Sequence, residues 1–168
     1  ASGARTWANT PEKKPSSTEV FAVSPDGTRV LFRRGGDWMR LLDAATGKEV
    51  RSFLERHEAL NAAAIAPDNS FWLGATSQVR SWKAPKPSKE PPFRMWDMAT
   101  GKPMGTFSGQ PEWISAIAIT RDGKRAVSVG DEGLFRVGDV ASRALVASWS
   151  APGASGVASI ANLGTEGR

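Results

Sequence analysis

The chain has 168 residues, a formal net charge of +5 and no cysteine. That length suits a domain with a core of its own, and the absence of thiols excludes disulfides, thiolate zinc sites and cysteine nucleophiles. No apolar run is long enough to cross a bilayer as a helix, so no membrane-spanning segment is expected. The basic balance would favour acidic partners, nucleic acid or an anionic surface, but a solvated basic surface is the simpler and preferred reading. The chain begins Ala1-Ser2 without Met, as a processed product or a cut-out segment would.

Residues 1–18, "ASGARTWANTPEKKPSST", are rich in Pro, Ser, Thr and charge and read as a flexible arm or linker. Trp7 within it is either incidental or a docking anchor. From residue 19 onward, short apolar runs alternate with turn signals. "EVFAV" is followed by "SPDGTRV", "NAAAIA" by "APDNSFW" and "ISAIAI" by "TRDGKRA". Two short strands joined by Asp-Gly or Asp-Asn make a β-hairpin. The first unit predicts strands over 19–23, 28–33, 38–42 and 48–53. The second predicts 60–66, 70–75, 92–97 and 103–107, and the third 113–119, 124–129, 134–138 and 144–149. "GVASIAN", 156–162, reads as the opening strand of a fourth unit.

A second mark recurs in the same order: "MRLLDAATGKEV", "FRMWDMATGKPM" and "FRVGDVASRALV". The turn aspartates are Asp26, Asp68 and Asp122, and the strand-ending aspartates are Asp43, Asp97 and Asp139. Asp26 to Asp43 and Asp122 to Asp139 are both 17 residues; Asp43 to Asp68 and Asp97 to Asp122 are both 25. The period is therefore 42, and the one discordant interval, Asp68 to Asp97 at 29, carries 12 extra residues. A period of this size with four short strands per unit marks a propeller of four-stranded blades.

On "SPDG", "RMWDMATGK" and the equal intervals, residues 19–162 resemble the WD40-repeat β-propeller family, in the style of its bacterial repeats. The resemblance implies an all-β, WD40-like β-propeller segment: three four-stranded blades plus the first strand of a fourth. The blades would occupy about 19–55, 56–109 with an insertion at 76–89, and 110–150, with a partial fourth at 156–168. It also implies that Asp43, Asp97 and Asp139 are structural, accepting backbone hydrogen bonds in the turn that follows, as Asp does in turns. Gly47 and Gly101 would supply the left-handed conformation there. The family's buried His–Asp network is degraded: His57 lacks its preceding Gly, and Gln110 stands where His would, with Glu90 and Glu132 as candidate loop acids. His57 is read as a structural hydrogen-bonder rather than a catalyst. Inner strands are small and apolar, as in Ala62, Ala63, Ala64, Ala116 and Ala118, whereas Lys48 and Arg51 mark an outer edge. Arg40, Arg94 and Arg136 occupy one equivalent position and are expected to face solvent.

The extra residues fall in "TSQVRSWKAPKPSK" at 76–89. Pro85, Pro87, Pro91 and Pro92 disfavour helix or central strand. The resemblance places this loop on the face that propellers use for partners. Arg80, Trp82, Lys83, Lys86 and Lys89 are the candidate partner-binding residues. Three readings stand: a solvated surface insertion, a protein contact anchored by Trp82, and a nucleic-acid contact with Trp82 stacking on a base. Sparse charge and the lack of a recognised module disfavour nucleic acid. "SQVRSW" also resembles a third strand, but 92–97 is preferred because "WDMATGK" copies the turn of unit one.

No catalytic constellation, phosphate loop, cofactor site or metal site is legible, and the carboxylates are spread one per turn. Three blades cannot close a ring of the usual four to eight. The expectation is a non-enzymatic interaction or assembly scaffold, completed by a protein partner or a second copy. The alternatives are the propeller portion of a larger enzyme or sensor, and a basic scaffold that touches nucleic acid.

Overall fold

The computed structural model describes residues 18–34, 39–53, 59–77, 93–110, 113–130 and 133–150. Among them are twelve strands and no helix. The first sheet contains β1 (Thr18–Val23), β2 (Arg29–Arg34), β3 (Met39–Asp43) and β4 (Glu49–Phe53). The second contains β5 (Ala59–Ile65), β6 (Phe71–Ser77), β7 (Phe93–Asp97) and β8 (Pro103–Thr106). The third contains β9 (Ile114–Ile119), β10 (Arg125–Gly130), β11 (Leu134–Asp139) and β12 (Leu145–Ser150). Each sheet is an antiparallel meander in which sequence neighbours are also hydrogen-bonded neighbours. Of the two candidates for the third strand of unit two, Phe93–Asp97 is β7; residues 78–82 lie outside the described residues, as do 156–162.

The turns explain why these sequences break where they do. Between the first two strands of each unit, a backbone N–H closes the hairpin on a carbonyl three residues back: Gly27 on Ser24 at 2.8 Å, Asn69 on Ala66 at 3.0 Å, Gly123 on Thr120 at 2.8 Å. The turn aspartate then accepts from the hydroxyls and N–H groups around it. Asp26 takes the Thr28 N–H at 2.9 Å and the Ser24 hydroxyl at 2.6 Å, and Asp122 takes the Lys124 N–H at 3.0 Å and the Thr120 hydroxyl at 2.6 Å.

After the third strand a second Asp turn repeats. Thr46 donates to Asp43 Oδ1 from its N–H at 2.9 Å and its hydroxyl at 2.8 Å. Thr100 does the same to Asp97 at 2.6 and 2.7 Å, and Ser142 to Asp139 at 2.9 and 2.9 Å. Four residues past each Asp the backbone is left-handed, with φ of 67° at Gly47, 73° at Gly101 and 59° at Arg143. The third copy thus holds Arg143, a residue with a Cβ, where the other two hold glycine, in a region that strains any residue with a Cβ.

The sheets stack through their first strands: β1 lies beside β5, and β5 beside β9. Convergence of the innermost strands is the radial arrangement of propeller blades. The middle sheet is buried on both sides. Its alternating residues divide between two cores, because successive side chains of a strand point to opposite faces. Leu60, Ile65, Trp72, Trp96 and Met98 join Leu31, Leu41 and Phe53 of the first sheet. Phe71, Leu73, Phe93, Met95 and Phe107 join Ile114, Ile117, Ile119, Ala126 and Val140 of the third.

One expectation about charge is overturned. Its position equivalent to Arg40 and Arg136 predicts that Arg94 faces solvent, yet Arg94 is buried, only 5 % exposed. It lies on the same face of β7 as Trp96, the face that the first sheet covers; its cross-strand neighbour is Gly74, over which the Trp72, Trp96 and Leu60 side chains close. Arg40, on the uncovered side of the first sheet, keeps contact with water and pairs with Glu49 at 3.0 Å. Arg136 is half-buried.

Candidate interaction faces

Each sheet has a leading face, toward the unit before it, and a trailing face, toward the unit after it. The internal repeat allows equivalent positions to be compared. On the trailing side, Leu31, Leu73 and Val127 are equivalent, as are Leu41, Met95 and Val137. The third set is Phe53, Phe107 and Trp149, each ten residues after the strand-ending Asp. Phe53 and Phe107 are 3 % and 1 % exposed, whereas Trp149 is 47 % exposed. On the leading side, Ile65 and Ile119 are 2 % and 1 % exposed, and their equivalent Val23 is 55 % exposed. Trp72 and Ala126 are buried and their equivalent Val30 is half-buried; Trp96 and Gly138 are buried and Leu42 is half-buried.

The pattern is therefore apolar at the same positions in all three units, buried where another described unit adjoins and more exposed where none of the described units does. A different set shows that the effect is specific to these faces. Val50, Met104 and Val146, equivalent positions on the outer strands, are exposed in every unit.

The internal junctions show how such a face is filled. Phe53 meets Trp72 edge-on, with ring centroids 5.1 Å apart, and Trp72 stacks on Trp96 at 4.1 Å. Phe107 stacks on Phe93 at 4.6 Å and lies against Gly138 so closely that a Cβ there would come within 2.8 Å of the ring. The large Trp pair of unit two and the small Ala126–Gly138 pair of unit three thus accept the same kind of aromatic knob in different ways. Burying a Phe side chain contributes roughly 1.5–3 kcal/mol. Trp149, among the described residues, stacks on Phe135 of its own sheet at 5.7 Å.

Polar contacts tie the units together at the same junctions. Asn69 donates its amide N–H to Asp26 at 2.6 Å, and Arg51 donates to the carbonyl of Thr100 at 3.1 Å. Within units, Arg29 pairs with Asp43 at 2.8 Å and Arg125 with Asp139. Unit two has Phe71 at that position, and the cation near Asp97 is instead Arg51 of unit one.

All six turn aspartates are held below the ordinary carboxylate value. The largest cause is the neighbouring hydroxyl at Asp26 (Ser24), Asp43 (Thr46), Asp68 (Ser70), Asp97 (Thr100) and Asp122 (Thr120). At Asp139 it is the Ser142 backbone N–H. Each carboxylate is engaged in its own turn, and among the described residues no group of three or more His, Asp or Glu could hold a metal ion. One concavity of about 410 Å³ opens beside the Arg29–Asp43 pair, lined by Gly27, Thr28, Ala44 and Ala45. Among the residues singled out from the sequence, Gln110 accepts a hydrogen bond from Ser128 at 2.6 Å. Arg80, Trp82, Lys83, Lys86, Lys89 and His57 lie outside the described residues, as do Glu90 and Glu132. The aromatic column Phe53, Phe107 and Trp149 was not singled out from the sequence, although its constant spacing from the aspartates is legible there.

No family model matches the chain. Over an alignment of 135 positions that covers 73 % of the chain, it is 31 % identical to the nuclear distribution protein PAC1 of Coccidioides posadasii (strain C735). Among solved structures it superposes on a chain of the Kuenenia stuttgartiensis hydrazine synthase with a TM-score of 0.62, 21 % identity and 79 % of its residues covered. The chain spans 27 % of the length of the first and 35 % of the second. With the three meander sheets, these matches support a WD40-like, propeller-like fold whose sheets do not close into a ring.

Proposed function

We propose that this chain is a non-enzymatic partial propeller of about three WD40-type repeats and acts as a protein-interaction scaffold. The observation that carries this reading is the uncovered pair of outer faces. Positions buried at both internal junctions are apolar and open at Val23 and Trp149. Apolar surface of this kind, on a rigid sheet, marks a site of protein contact. Against catalysis stands the engagement of every turn carboxylate in its own turn. The basic insertion, with Arg80, Trp82, Lys83, Lys86 and Lys89, is proposed as a second contact on the same scaffold. No cofactor or metal enters this reading, and nucleic acid is disfavoured.

The test is retention on the immobilised chain. Wild-type protein is expected to hold a second copy or another protein in a fixed ratio, and Trp149→Glu is expected to release it. Met104→Glu, on an exposed outer strand belonging to neither face, is expected to change nothing. If wild type retains neither a second copy nor another protein, the scaffold reading fails. A second reading is the propeller portion of a larger protein, favoured by the chain's 27 % share of the relative it matches; there, the faces would be covered by blades of the same polypeptide.

A further inference from the structure

We infer that the open trailing face of unit three and the open leading face of unit one are two halves of one interface, closed head to tail between two copies of this chain. The inference deepens the scaffold reading and rests on it.

The argument is continuity with the two junctions already formed. At each, a trailing aromatic knob (Phe53 or Phe107) seats on the pair of residues that face each other across the second and third strands of the next unit. That acceptor pair is Trp72 with Trp96 in unit two and Ala126 with Gly138 in unit three. The same elements recur, with no partner sheet among the described residues, at the outer faces of units one and three: the knob is Trp149 and the acceptor pair is Val30 with Leu42. The third knob is the largest of the three, and the free acceptor is smaller than the Trp pair, so space lost to one is recovered from the other. A second copy therefore offers each end the complement it lacks.

Charge does not oppose the contact. Arg40 on the leading side is already paired with Glu49 at 3.0 Å, so closure does not strand it in a dry interface. Each copy carries +5, and that repulsion is screened at physiological salt. Joined head to tail about a two-fold axis, two copies make two identical junctions between their described sheets.

The test is sedimentation velocity of the full chain across the low- to high-micromolar range, with Val23→Glu and Trp149→Glu separately and mixed. Both positions are about half exposed, so the isolated fold is expected to tolerate them, as checked by circular dichroism. If either glutamate variant unfolds, Val23→Ser and Trp149→Gln make the same comparison. Wild type is expected at twice 17.9 kDa, its dimer strengthening with added salt as like charges are screened. Each variant alone is expected to weaken the dimer by about tenfold or more, as loss of a central interface anchor does. Mixed, the two variants are expected to recover a dimer, because the good leading face of one meets the good trailing face of the other. A wild type that stays monomeric overturns the inference; if that monomer still retains another protein, the scaffold reading survives it. A dimer broken by Trp149→Glu but untouched by Val23→Glu, or a ladder of growing masses, overturns it as well.

Discussion

The substitution Gly138→Ala tests the packing argument with one methyl group. The new Cβ would lie 2.8 Å from Phe107 Cδ1 and 3.1 Å from Cε1, closer than carbon atoms sit in proteins. Phe107 cannot swing aside: it is 1 % exposed and its ring is stacked on Phe93 at 4.6 Å. Two terms of opposite sign compete. Replacing Gly by Ala restricts the unfolded chain, which favours the variant by about 0.4–1 kcal/mol. Overpacking a closed core costs typically about 1–3 kcal/mol. The clash is with a ring held on both sides, so the second term wins, and a net loss of about 1–2 kcal/mol is expected. For a domain of this size that is a fall in Tm of roughly 2–8 °C. The assay is urea unfolding followed by tryptophan fluorescence, with the midpoint moving and the slope unchanged. Phe107→Leu completes a cycle. In that background the ring is gone, so Gly138→Ala is expected to be neutral or stabilising, giving a coupling of about 1 kcal/mol or more. A Gly138→Ala protein as stable as wild type, or effects that simply add, would refute the account of this junction.

Gly101→Ala is expected to destabilise by about 1–2 kcal/mol, because it combines a left-handed backbone with a Cβ that would lie 3.0 Å from Arg51 Cδ; thermal unfolding measures it. The six turn aspartates make stability depend on acid. Their folded values lie below the ordinary 3.8, so their stabilisation is complete above that value and is lost as pH falls through the lower, folded values. Asp97→Ala is expected to lower Tm at neutral pH and to flatten this acid limb; a Tm equal to wild type at pH 7 would remove its role in the turn. Removing residues 77–88 is expected to leave the three-sheet fold intact by circular dichroism while weakening partner retention, and a chain that no longer folds would make the insertion structural.

The strand plan was decided locally. Asp–Gly and Asp–Asn turns, each flanked by short apolar runs, leave little choice but hairpins, and twelve strands fall within a residue or two of the positions read from those signals. The spacing of Asp26, Asp43, Asp68, Asp97, Asp122 and Asp139 also marked the twelve-residue excess in unit two, because turn chemistry depends on residues only a few positions apart. What needed the tertiary structure was everything that depends on which sheet covers which face. Arg94 has the same local pattern as Arg40, but a neighbouring sheet lies over one and not the other. Gly138 carries no local signal for its role, since the ring it accommodates comes from Phe107 in another unit. Trp149 reads as one more aromatic in an outer strand; only its buried equivalents, Phe53 and Phe107, reveal it as the uncovered knob of an unfilled junction.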